Sequence, residues 1–392
     1  MRAKVIFPVL SIFIINFTVF SIERIRQNPE WKGTLEYEGG IKVVRNPVDS
    51  LYGEIHLETA EDLIIGDENK ENYDIFQARG IQVDDEGNIY VLDRGNSRVQ
   101  KYDKTGRYIT TVGGKGQGPG EFNNPSGIYL DSKNNLYIRD VAKIHIFNSQ
   151  GCFSRSITFI DMILSFGVNK EGNILAEILY RTGPETGMRE VALINPEGKK
   201  TKAIVSQPLK RHYRIEGSIM LGNPYSPRLC FCMLDDEFGI YGFSSEYKLY
   251  LVNPSGEIEY IIKKDDPPEL LSRKEKDEII NRHLEPNQQR KKKFSRGEII
   301  KALDFPEYKP FFNLIMSDDE GRIYVKRLKS HLKGESFDVF SMGGCFIHKI
   351  TTEIPPVVIK NGYFYNLSVM QDSGYNRISR FKIENWDQIK KN

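Results

Sequence analysis

Eight charged residues stand where a repeat fold could gather them. Arg79, Arg94, Arg139, Arg181, Arg228 and Arg327 fall near the ends of strand-like runs, and Asp93 and Asp140 adjoin two of them. The planar fork of arginine meets a carboxylate through two parallel hydrogen bonds, so such a set suits a carboxylate or an acidic glycan. The adjacent aspartates can orient the guanidinium groups. The same arginines could instead bridge neighbouring elements. Bond-breaking chemistry finds less support. His56, His145, His212, His283, His331 and His348 show no paired spacing, and no Ser-His-Asp set suggests itself. Cys152, Cys230, Cys232 and Cys345 contain no C-x-x-C. The glycine-rich stretch 113–120 lacks the Gly-Lys-Ser/Thr of a phosphate loop and leads into a strand. Asp84, Asp131 and Asp318 recur at one repeat position, where an aspartate caps its own turn; a metal would need different residues converging. No cofactor and no metal are expected.

Internal repetition supplies the scaffold for these residues. The clearest unit runs Gly80-Ile-Gln-Val-Asp-Asp-Glu-Gly-Asn-Ile-Tyr-Val-Leu-Asp93, then Arg98-Val-Gln-Lys-Tyr-Asp-Lys-Thr-Gly106. Apolar residues alternate on either side of tight Asp/Gly/Asn turns, the period of half-buried antiparallel strands. The pattern returns at 127–151, 172–198, 238–256, 318–344 and, more weakly, 361–381. Six such units, each of four strands, predict an all-β, six-bladed β-propeller over residues 55–392. The last unit stops after its third strand. A segment within 55–65 is expected to be its missing outer strand, with the hairpin-like stretch 34–45 pairing outside it. Closure in one chain removes free edges, so a monomer is expected. Residues 267–303 interrupt the pattern between units four and five. Leu271, Ile279, Ile280 and Leu284 fit one helical face there, and the basic run 290–293 reads as a solvated surface.

The run Gly-Asn-Ile-Tyr-Val-Leu-Asp93, then Asn96-Ser-Arg98-Val-Gln-Lys-Tyr-Asp103, then Gly113-Gly-Lys-Gly-Gln-Gly-Pro-Gly-Glu-Phe122 resembles an NHL repeat. As a whole the chain resembles exported bacterial six-bladed β-propellers of the NHL type. That resemblance implies the fold, whereas propellers host binding, scaffolding and catalysis alike. Some NHL propellers, the amidating lyases, hold zinc through histidines of several blades; here blades one, three, four and six have none in their repeat motifs. Calcium-dependent lactonases of propeller form use Glu, Asn and Asp at inner strand starts, and no such set is visible. The reading is therefore a binding propeller whose ligand, a protein, peptide or anionic glycan, sits on the long-loop face at the channel mouth. The alternative is a metal-dependent hydrolase or lyase with its site in the channel, and a third option is a structural subunit of an envelope assembly.

Residues 1–21 have the parts of a secretory signal: Arg2 and Lys4, an apolar run over 5–20, and Val19-Phe20-Ser21 as a cleavage site. Retention as an anchor is the other reading. No cysteine precedes Cys152, so a lipid-modified N-terminal cysteine is not expected. Residues 22–54 read as an extension. A secreted or periplasmic location permits disulfides, yet no cysteine spacing suggests one, and four free thiols are expected. Without the leader the chain carries equal numbers of basic and acidic residues. Nucleic acid is not an expected partner.

Overall fold

In five of the six repeats the turn after the first strand is closed by its own Asp or Asn side chain. In a computed structural model, which describes residues 30–183, 186–208, 214–215, 219–285, 294–328 and 334–390, Asp84 Oδ1 accepts from the backbone N–H groups of Glu86 and Asn88. Its Oδ2 accepts from the Asn88 amide and the Tyr90 hydroxyl. Asp131 and Asp318 do the same with Tyr137 and Tyr324. The recurring aspartate is turn chemistry, and the tyrosine two residues into the next strand ties the turn to the sheet. The leader 1–21, the basic run 290–293, His212 and His331 lie outside the described residues.

These turns join antiparallel strands into four-stranded sheets. Blade one comprises Ile81–Val83, Ile89–Asp93, Arg98–Tyr102 and Tyr108–Val112. Blade two comprises Pro125–Leu130, Leu136–Asp140, Lys143–Phe147 and Phe153–Thr158. Blade three comprises Met162–Val168, Ile174–Arg181, Gly187–Ile194 and Lys200–Pro208. Blade four comprises Leu229–Met233, Gly239–Phe243, Lys248–Val252 and Ile258–Lys264. Blade five comprises Phe312–Ser317, Ile323–Arg327, Glu335–Phe340 and Phe346–Thr352. Blade six takes Val358–Lys360, Tyr363–Val369 and Asn376–Ile383 from the end of the chain. Its fourth strand is Thr59–Ile65, which runs antiparallel to Asn376–Ile383 with Ile65 opposite Ile378. Gly66 follows at φ +132°, and a Cβ there would lie 2.5 Å from the Asn376 carbonyl oxygen. Only glycine fits that junction.

Alternation leaves each blade apolar on both faces, so blades must stack. Apolar side chains meet at every junction. Leu92 and Phe122 meet Ile138 between blades one and two, and Ile144 meets Ile174 between two and three. Val191 meets Tyr241 between three and four, and Leu249 meets Val325 between four and five. Tyr324 meets Phe364 between five and six, and Ile65 meets Ile81 between six and one. Each such side chain contributes about 1.5–3 kcal/mol when fully buried.

The N-terminal extension departs from expectation. Its hairpin, Thr34–Glu38 with Ile41–Asn46, does not pair outside blade six. Ile41–Asn46 lies parallel to Ile258–Lys264 and extends blade four. Val44 then joins the blade four–five core, and Glu54–His56 adds a fifth, parallel strand to blade five. The reason lies in Asn46. Fully buried, it donates from Nδ2 to the carbonyls of Gly344 and Lys263, while Oδ1 accepts from Phe346 N–H and Trp31 Nε1. Nothing local in the sequence signals such a long-range parallel pairing.

The insertion forms two helices, α1 (Arg273–Leu284) and α2 (Arg296–Leu303), each started by a Ser–Glu capping box. Ile279, Ile280, Ile299 and Leu303 pack with Leu221 from the connection between blades three and four, while Leu284 faces solvent. Among the described residues no helix is long and apolar enough to cross a membrane. All four cysteines are free.

Two stability measurements follow. Asn46→Ala leaves Phe346 N–H and Gly344 C=O buried without partners and is expected to cost roughly 2–4 kcal/mol in urea unfolding. His348 is buried with Nε2 accepting from Lys390 N–H, and burial pushes its pKa down to about 4 from 6.5. As pH falls, the unfolded chain protonates first. The stability from a neutral His348 is therefore complete above about pH 6.5 and is lost progressively towards pH 4, by roughly 3 kcal/mol. His348→Gln keeps an acceptor and should flatten that slope between pH 7 and pH 4.

Candidate functional site

The first strand of every blade faces the axis, so the channel wall is built from six short inner strands. They surround an open cavity of about 870 Å³ whose wall mixes apolar side chains such as Ile128, Phe166, Phe231 and Met316 with acidic ones such as Asp85, Asp235, Asp236 and Asp319. This lies in the size range of small-ligand sites. The capped turns of Asp84, Asp131 and Asp318 line it where the inner strands end.

At the other end of the inner strands, where Arg79 and Ser126 lead into blades one and two, the wall opens into a recess of about 250 Å³. It shares Gln82, Ile128, Ser165, Phe166 and Val357 with the main cavity and adds Arg79, Ser126 and Arg139. Arg139 is half-buried: Nη1 donates to the Ile163 carbonyl in blade three and Nη2 to the Ser126 carbonyl at 2.9 Å. Its Nε is buried without a hydrogen-bond partner. Burial pushes its pKa down, and the charge of Glu177 pulls the other way. Arg79 is exposed at the rim. Among the described residues no carboxylate lies within 4 Å of either guanidinium.

The other predicted residues are placed differently. Asp93 is fully buried and accepts from Phe76 N–H, Asn96 and Arg98. Asp140 accepts from the N–H groups of Asn123 and Asn124 at 2.8 and 2.6 Å. Both hold the incoming connection of their blade, and neither hydrogen-bonds to Arg94 or Arg139. Arg94 donates to Asn124 across the junction of blades one and two. Arg327 is held by Asp266 and Asp338, in a buried cluster with Lys264 and Tyr247. Arg181 and Arg228 are exposed at strand ends and line neither cavity. Two of the six arginines therefore converge.

Sequence reasoning missed Ser165, Glu177 and Arg189. A bulge between Ile163 and Ser165 brings Ser165 opposite Glu177 in the next strand, the kind of irregularity that re-aims a side chain. Ser165 Oγ donates to Glu177 Oε2 at 2.9 Å, and Arg189 Nε lies 3.2 Å from Glu177 Oε1. Glu177 stands among Ile174, Leu175, Ala176 and Ile178 in a strand with a buried inner half. A lone carboxylate in that run was the available signal.

Cys232 also reaches the channel wall. Burial pushes its thiol up to about 11, which leaves it a poor nucleophile. Among the described residues no three His, Cys, Asp or Glu side chains group to hold a metal.

A family described as a 6-bladed beta-propeller matches residues 55–178. The chain is a six-bladed β-propeller. No curated protein matches it. Among solved structures, it is similar to a Bacteroides fragilis protein described only as a candidate exported protein. They share 11% identity over 88% of this chain and 100% of that one, at a TM-score of 0.50. A calcium-binding protein, regucalcin, from Agrobacterium tumefaciens aligns at 11% identity over 83% and 94%, with a TM-score of 0.42. Virginiamycin B lyase from Staphylococcus aureus aligns at 11% over 83% and 99%, with a TM-score of 0.41. At these identities the likeness is one of fold.

Proposed function

We propose that this protein is an exported binding propeller of the NHL type, secreted or periplasmic, that takes the carboxylate of a peptide or acidic glycan in the recess lined by Arg79 and Arg139. One observation carries the reading: two guanidinium groups share a recess and neither has a carboxylate partner. Arg139 is held partly out of water, with the charge of Glu177 acting on it only from beyond ion-pair distance, and so favours an incoming anion, because the low local dielectric strengthens the attraction. Arg139 is fixed by two backbone carbonyls, so little further ordering is needed when a ligand arrives. Arg79 at the rim supplies a second fork. Arg181 and Arg228, exposed at strand ends, would add positive potential that draws an anion towards the face. The pattern of residues 1–21 supports export. The Asn96-x-Arg98 pair, both members of which bond Asp93, supports the NHL assignment.

Arg79→Glu tests the reading without disturbing the fold, because Arg79 is exposed and, among the described residues, holds no ion pair. Binding of oligogalacturonate and acidic peptides, measured by calorimetry, is expected to weaken at least about tenfold in the variant. The melting temperature should stay within about 2 °C of wild type. Equal affinity in the two proteins, or no anionic binder at all, contradicts the proposal.

A further inference from the structure

Closing the ring covers the faces of the blades but leaves each blade an outer edge, and these edges are not alike. A free edge offers unpaired N–H and C=O groups to any strand that meets it, and proteins blunt such edges with bulges or by keeping the strand short. The outer strands of blades one, two, three and six each pair through a bulge, at Lys101/Tyr102, Ile146/Phe147, Val191/Ala192 and Arg380/Phe381 of the inner partner. Blade five ends in Glu54–His56, only three residues long. Blade four ends in the hairpin, and its outermost strand, Thr34–Glu38, has neither device. It pairs with Ile41–Asn46 in one unbroken register. Among the described residues no strand pairs with its other side.

The hairpin turn decides which groups face outwards. Gly39 and Gly40 have φ of +58° and +87°, as in a two-residue type I′ turn, which makes Glu38 and Ile41 a hydrogen-bonded pair. Bonded and non-bonded pairs alternate from there, so the N–H and C=O of Leu35 and Tyr37 point away from the hairpin. The side chains of the same two residues share one face and are 60% and 74% exposed. Charge does not guard this strand, because its own blade neutralises both acids: Glu38 pairs with Lys248 and Lys263, and Glu36 with Arg45 at 3.7 Å. We propose that Thr34–Glu38 is the pairing edge of a homodimer, joined to the same strand of a second copy in antiparallel register about a two-fold axis at Leu35. The strand is complementary to itself in that register. Leu35 meets Leu35, and Glu36 of each copy faces Thr34 of the other. Tyr37 comes opposite Gly33, where the Trp31 ring fills the place a side chain would take. A register centred on Glu36 would instead set two carboxylates against each other. The recess draws on no residue of blade four, so pairing leaves both recesses open.

Sedimentation velocity on the purified protein tests this across about 1–500 µM. Two short strands bury less than a standard interface, so the wild type is expected to pass from monomer to dimer with a midpoint on the order of 10–100 µM. Leu35→Arg sets like charges together at the two-fold axis and should raise the dissociation constant at least about tenfold. Leu35→Pro removes an outward N–H that the hairpin does not use, and should weaken association similarly while the ring keeps its melting temperature. Ile109→Arg, on the bulged outer strand of blade one, should leave association unchanged. A wild-type protein that stays monomeric up to about 500 µM overturns the proposal, whatever else then meets the edge. A dimer that persists in both Leu35 variants, or is lost equally in Ile109→Arg, forms elsewhere and overturns it too. The wild-type measurement does not depend on how any variant folds.

Discussion

The pairing of Thr59–Ile65 with Asn376–Ile383 is the constraint on which the rest of the molecule depends. Every blade presents apolar faces that only its neighbours can cover, and a ring of blades satisfies all of them only if the last meets the first. The junction of blades six and one is packed by Ile65 and Ile378 against Ile81 and Val91. The recess inherits this dependence. Its wall combines Arg79 before blade one, Ser126 and Arg139 from blade two, Ser165 and Phe166 from blade three, and Val357 before blade six. Four blades contribute, and only the closed ring holds them in register.

Within that frame, partners sort the charges into two kinds. Arg327, Lys264, Asp266 and Asp338 form a balanced buried set that joins the end of blade four to blade five. Removing one member would strand its partners in low dielectric. Asp93, with Asn96 and Arg98, and Asp140, with the amides of Asn123 and Asn124, hold the connections entering their blades. These charges are satisfied by the fold. Half-buried Arg139 has no carboxylate within 4 Å among the described residues, with Glu177 acting on it only from farther away, and that difference from the paired interior charges supports a role towards a ligand.

What was legible in the sequence follows from range. The Asp-turn-Tyr units, the alternation and the blade count are written in contiguous residues, and the helical insertion interrupts their rhythm. Pairing between segments some 300 residues apart leaves a weaker trace. The partner of Thr59–Ile65 could be argued because blade six lacked a strand, but the hairpin at 34–46 carries no such deficit, and its place on blade four depends on how Asn46 meets Gly344 and Phe346. The candidate site divides in the same way. The arginines recur visibly at strand ends, but which of them converge depends on partners that sequence does not reveal: Asp266 and Asp338 for Arg327, Asn124 for Arg94, and the Ile163 carbonyl for Arg139. Ser165 was hidden because a bulge decides which way it points. Glu177, a carboxylate in an apolar strand, could have been noticed.

A crystal structure of the protein grown or soaked with glucuronate tests the account most directly. The account predicts the carboxylate within hydrogen-bond reach of both Arg79 and Arg139. Glucuronate bound only among the aspartate turns at the other end of the channel, with water alone between Arg79 and Arg139, would contradict it.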